Sequence, residues 1–134
     1  MLKEFHTKKS DSKAMGQEKK IILGKILGVL FILSAIPKAI GLQMAVDNFN
    51  KWLLGDEWRY LVALVEIVAG LLMFSKWERY GTIILLGIMP AATLVHIQFQ
   101  EWVMLPMPII FGLLLLYYDK KSVRDKLINS AIQK

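Results

Sequence analysis

Three side chains in this sequence can do chemistry that their surroundings make costly: Lys38, Glu66 and His96, each set inside or at the end of a long apolar run. A charged group at mid-bilayer depth costs several kcal/mol to insert, so such residues pair, hold a proton or meet a ligand. Glu66 is the least expected of the three, about 10 Å further down a helix than Arg59. Ala63, Ala69 and Gly70 flank it on one side of that helix, and small residues mark the faces where helices approach closely. Lys38 continues a stripe of Gly24, Gly28, Phe31 and Ala35. It therefore turns toward the same interior and comes within pairing reach of Glu66. Such a pair has two readings, a buried salt bridge that fixes helix register or a site that handles protons or holds a ligand. Lys25, near the start of its run, can snorkel to the surface and carries no such implication. His96 closes the third apolar run and is followed by Gln98 and Gln100. A histidine there is either solvated or, in a cavity shared with a carboxylate and a lysine, a proton relay. The candidates for ligand binding or proton handling are thus Lys38, Glu66, His96, Gln98 and Gln100. No catalytic residue is legible, and the sequence does not say whether the protein is an enzyme.

What is missing narrows the chemistry. With no cysteine, disulfides, thiolate metal sites and cysteine nucleophiles are excluded, so any redox role needs a bound carrier. Only two histidines are present, and His6 lies in a polar tail, so one chain cannot supply two intramembrane ligands to a haem. No metal-ligand spacing and no phosphate-cradling glycine loop occurs. The net charge of +6 sits in tails suited to anionic lipid, without the basic and aromatic groove of a nucleic-acid binder.

The elements that must position these residues follow from the apolar runs. The chain is 134 residues long and 55% hydrophobic, with a mean hydropathy of +0.45, which is outside the usual range for a soluble domain. The runs cover residues 21–42, 58–74, 81–97 and 102–118, each near the ~20 residues that cross a hydrocarbon core. Lipid tolerates no open sheet edge, and no ten-residue alternating strands are present to close a barrel. The expected fold is therefore an all-α integral membrane protein, a four-transmembrane-helix bundle over residues 21–118. Pro90 is expected to bend the third span, and Pro106 and Pro108 suit the start of the fourth. Between the first two spans, Ala45, Phe49, Trp52 and Leu53 recur at helical spacing and predict a short helix on the outer interface, as a lid or an anchor. Residues 1–20 read as a disordered basic tail. Residues 119–134 read as an amphipathic tail with Val123, Leu127 and Ala131 on one face. Lysine and arginine gather in both tails and in the loop holding Lys76 and Arg79, leaving Lys51 and Arg59 on the opposite side. The positive-inside rule then puts both termini in the cytoplasm and the protein in the cell (inner) membrane. Trp52, Trp58 and Trp102 at the outer edges and Trp77 at the inner one agree.

The stretches Ser34-Ala-Ile-Pro-Lys38-Ala-Ile-Gly41, Leu61-Val-Ala-Leu-Val-Glu66-Ile-Val-Ala-Gly70-Leu-Leu and Ala91-Ala-Thr-Leu-Val-His96, with Trp102 through Pro108 before the last span, resemble the DoxX family of small four-helix membrane proteins. The resemblance covers residues 21–118 and makes Lys38, Glu66 and His96 its landmark positions. Ser34-Ala35 stands where a glycine is often found before that lysine. The family takes its name from a thiosulfate:quinone oxidoreductase subunit, so the resemblance implies a quinone-linked redox role as one option. In it, Glu66 and His96 handle protons, Lys38 stabilises negative charge, and a partner redox subunit is expected. The other option is a non-enzymatic partner or assembly subunit, or a small-molecule carrier, in which Lys38 and Glu66 form a structural pair.

Overall fold

The computed structural model describes residues 2–132, and among them no residue is in a strand. Five helices follow one another: α1 (Leu2–Ala39), α2 (Gln43–Lys51), α3 (Asp56–Leu72), α4 (Glu78–Gln98) and α5 (Pro106–Ile132). The four long helices share one core, built from Leu27 and Phe31 of α1, Ala69 and Met73 at the end of α3, Leu85 and Met89 of α4, and Leu115 and Tyr118 of α5.

Small residues set how closely these helices meet. A Cβ on Gly28 would lie 2.9 Å from the Gly70 carbonyl oxygen, and a Cβ on Gly70 would lie 2.9 Å from the Gly28 carbonyl oxygen. The backbones of α1 and α3 therefore touch, as small-residue interfaces allow. A Cβ on Gly81 would fall 2.5 Å from the Ala69 carbonyl oxygen, which brings α4 against the same part of α3. The opposite faces are apolar and turned outward. Ile22, Ile26, Val29 and Leu33 on α1, and Leu61, Leu64, Val68 and Leu71 on α3, are each at least 45% exposed and recur at helical spacing. An apolar surface this continuous is what a lipid environment requires. Two segments, Ala14–Ala39 and Glu78–Gln98, are long and apolar enough to cross a membrane.

Three expectations need revision, and one pair of alternatives is resolved. The chain is helical from Leu2, not disordered through residue 20. No proline precedes Pro37, and extending an existing helix is much easier than nucleating one. The last long helix begins at Pro106, with residues 102–105 in a turn; Pro106 is suited to a first helical position and disfavours helix in the residue before it. That helix then runs unbroken to Ile132, since no glycine or proline follows Gly112, so 119–132 is no separate element; the side chains of Val123 and Leu127 lie outside the described residues. Finally, α2 turns its apolar face toward protein, with Ala45 7% and Phe49 4% exposed. This is the packing of a lid on the ends of α1 and α3, and not of a lipid anchor.

Replacing Gly28 with Val is expected to lower the detergent-solubilised melting temperature by an amount corresponding to about 1–3 kcal/mol of overpacking. Gly87→Ala, at a helical position with open space around it, serves as the control and should be neutral or slightly stabilising.

Candidate functional site

The touching backbones of α1 and α3 bring Lys38 and Glu66 together. Side chains on a helix lean toward its N-terminus, so Lys38 reaches back one turn. Its Nζ donates to the Ser34 carbonyl at 2.9 Å and to Glu66 Oε2 at 2.7 Å. The Ser34 hydroxyl lies 2.8 Å from the Phe31 carbonyl and 3.3 Å from the same Glu66 oxygen, sharing one proton between them. Glu66 is 5% exposed, whereas the Lys38 side chain retains 21% exposure. The carboxylate is the inner partner and the ammonium extends toward the surface.

Arg59, counted from sequence as an outer-loop cation, belongs to this region and is 2% exposed. Its Nε and Nη2 donate to Asp56 Oδ1 at 3.0 and 2.9 Å, and its Nη1 donates to the Lys38 carbonyl. The chain leaves α1 through Gly41 at φ +70, a left-handed conformation that glycine adopts without strain. The Leu42 N–H then bonds back to the Pro37 carbonyl at 3.0 Å, closing a Schellman-type cap. The guanidinium supplies a cation where the α1 dipole is negative. The signal for Arg59 was in the spacing, because residues 59, 63, 66 and 70 follow one face of α3.

His96 does not join Lys38 and Glu66. It forms a second cluster with Glu101, whose Oε2 lies 2.8 Å from His96 Nδ1 and whose Oε1 accepts from Lys51 Nζ at 2.7 Å. The histidine thus has a carboxylate and a lysine beside it, as the relay reading requires, but neither is the expected one. An ionised carboxylate can only accept, so it is the His96 Nδ1–H that donates to Glu101. Trp52 meets that ring edge-on at 5.3 Å, and its indole Nε1 is buried without a hydrogen-bond partner among the described residues. Gln98 and Gln100 are exposed and outside both clusters. Gln100 instead turns the backbone, at φ +56, so that the Glu101 N–H returns to the His96 carbonyl at 2.9 Å. No sequence signal marks a glutamine for that conformation. Burial pushes the Glu101 carboxyl up, but hydrogen bonds from Lys51 and His96, with their charges, outweigh it and hold the carboxyl below its ordinary value of 4.5.

At the other end, Tyr118 donates to Glu78 Oε2 at 2.8 Å and Lys20 Nζ lies 3.7 Å from Glu78 Oε1. This joins α1, α4 and α5 through groups that carried no sequence signal. No group of three or more metal-binding side chains occurs among the described residues.

Helices with outward apolar faces and an ion pair buried between two of them define an all-helical membrane protein. The DoxX family model matches residues 22–98, more than half of the chain, and the protein belongs to the DoxX family. The matched segment contains Lys38, Glu66 and His96 but ends before Glu101. No curated protein and no solved structure matches this chain.

Two outcomes test these clusters. Lys38→Met should destabilise the protein by about 3 kcal/mol by leaving Glu66 uncompensated, and adding Glu66→Met should recover much of that loss; equal, additive losses in a double-mutant cycle would mean the pair is not coupled. Because the folded value of Glu101 is depressed, its stabilisation is present above the ordinary glutamate range and is lost as pH falls through the folded value. Acid melts should therefore lower the native protein's melting temperature more steeply than that of Glu101→Gln.

Proposed function

We propose that this chain is a four-span protein of the cell (inner) membrane with both termini in the cytoplasm, acting as a non-enzymatic partner or assembly subunit. The observation that carries the functional reading is the closed Lys38–Glu66 pair. The ammonium is bonded to Glu66 and to Ser34, the carboxylate to Lys38 and Ser34, and the charges compensate one another within the chain. A buried pair so arranged fixes register between α1 and α3. The topology rests on charge: at the outer end Lys51 and Arg59 are matched by Glu101 and Asp56, while Lys19, Lys76, Arg79 and Lys120 at the other end are exposed. Lipid retains positive charge on the cytoplasmic side. Outward apolar residues on α5, Ile109, Leu113 and Leu116, together with those of α1, α3 and α4, support four spans.

A second reading, a quinone-linked redox subunit, is favoured by the outer cluster. The orphaned Trp52 indole N–H suits a carbonyl acceptor. His96, held through Nδ1 by Glu101, is suited to exchanging a proton with a bound hydroxyl. The residues present therefore fit a small carbonyl-bearing ligand at Trp52 and His96 better than at the closed Lys38–Glu66 pair.

Mass spectrometry of solvent extracts from protein purified in mild detergent separates the two. The subunit reading expects bulk lipid alone, in both the native protein and the Lys38→Met/Glu66→Gln variant, and a co-purifying membrane protein. A stoichiometric quinone in the native protein that is lost in Trp52→Phe would replace it with the redox reading.

A further inference from the structure

The exposed cations of this protein are concentrated at one end. The Lys20–Glu78–Tyr118 junction ties the start of α4 to α1 and α5 partway along their lengths. Lys19, Lys76, Arg79, Lys120, Lys121 and Arg124 lie around one rim, and all but the half-buried Lys121 are exposed. The α3–α4 connection is the ordered part of this rim. The Ser75 hydroxyl oxygen accepts from the Trp77 N–H at 3.0 Å and fixes the turn. Lys76 Nζ stands 5.8 Å from the Trp77 ring centroid, and the Trp77 and Tyr80 rings lie 5.4 Å apart. Trp77 is 50% and Tyr80 58% exposed. Amphipathic aromatic rings settle at headgroup depth in a bilayer, and cations held there attract anionic headgroups.

We propose that the α3–α4 turn, through Lys76, Trp77 and Arg79, is a binding site for the phosphate of anionic glycerophospholipids, with Lys19, Lys120 and Arg124 widening the field around it. The proposal rests on the reading that this rim is cytoplasmic and lies at a bilayer surface. Trp77 and Tyr80 hold the turn at headgroup level, and Lys76 and Arg79 then meet the phosphate from two sides of the turn. The outer end has no equivalent, because Lys51 and Arg59 already hold carboxylates.

The test uses the full chain with Trp77 as its only tryptophan (Trp52→Phe, Trp58→Phe, Trp102→Phe), reconstituted in equal mixtures of phosphatidylglycerol and phosphatidylcholine. Either lipid carries brominated acyl chains that quench a neighbouring indole. Brominated phosphatidylglycerol should quench several-fold more than brominated phosphatidylcholine, about fivefold for one cation in contact. That preference should collapse toward equality in Lys76→Gln/Arg79→Gln and in high salt. Equal quenching by the two lipids in low salt would overturn the headgroup site while leaving the membrane topology standing. No quenching by either would overturn the topology as well. If the three-Phe protein does not fold, native mass spectrometry of the four-tryptophan protein answers the same question: preferential retention of phosphatidylglycerol over phosphatidylcholine, lost in Lys76→Gln/Arg79→Gln, supports the site, and equal retention refutes it.

Discussion

Glu66 carries a carboxylate into a helix whose outer face is apolar, and the pairing of α1 with α3 is organised around compensating that charge. An isolated carboxylate at this depth would be protonated or would disrupt the helix packing. The ammonium of Lys38 relieves it only because the two backbones meet at Gly28 and Gly70, which leaves the two side chains less than 3 Å to close. Packing and charge thus depend on one another. The glycines permit the approach, and the ion pair selects the register at which the approach takes place.

The same logic of compensation recurs around the end of α1 and the α4–α5 turn. Arg59 is buried beside the last turn of α1, where it bonds the Lys38 carbonyl and Asp56. The residue that neutralises Glu66 through its side chain is therefore also anchored through its backbone. Glu101 gathers Lys51 from α2 and His96 from α4 onto one carboxylate, and so ties the short α2 lid to the α4–α5 turn. Each cation described at this end is matched to an acid. The opposite end is built differently: a buried tyrosine, one glutamate and Lys20 join three helices, and Lys19, Lys76, Arg79 and Lys120 are exposed.

This division has functional weight. A closed Lys–Glu pair favours a rigid scaffold over a binding cleft. A second polar cluster lies where α2 meets the α4–α5 turn, with His96 held through Nδ1 by Glu101 beside an indole N–H that has no partner among the described residues. Lys38 and Glu66 of the family-matched segment thus lie in one cluster and His96 in another.

The sequence by itself determined the helical class and the apolar faces, and it placed Lys38 within reach of Glu66; that the two pair is a finding of the tertiary structure. Those three readings follow from local periodicity and from the expense of an uncompensated charge in an apolar run. The sequence also placed His96 at a helix end. It did not reveal that His96 would meet Glu101 and Lys51, because that contact depends on Gln100 adopting a left-handed conformation and on α2 folding back across α3. Arg59 shares the inward face of α3 with Ala63, Glu66 and Gly70, and that spacing was legible; its partner there, the Lys38 carbonyl at the end of α1, is supplied only by tertiary packing. The limits of α1 and α5 were misread for a related reason. Composition reports whether a segment can bury an apolar face, but a helix already anchored in a core extends through polar residues at little cost, because propagation is far easier than nucleation.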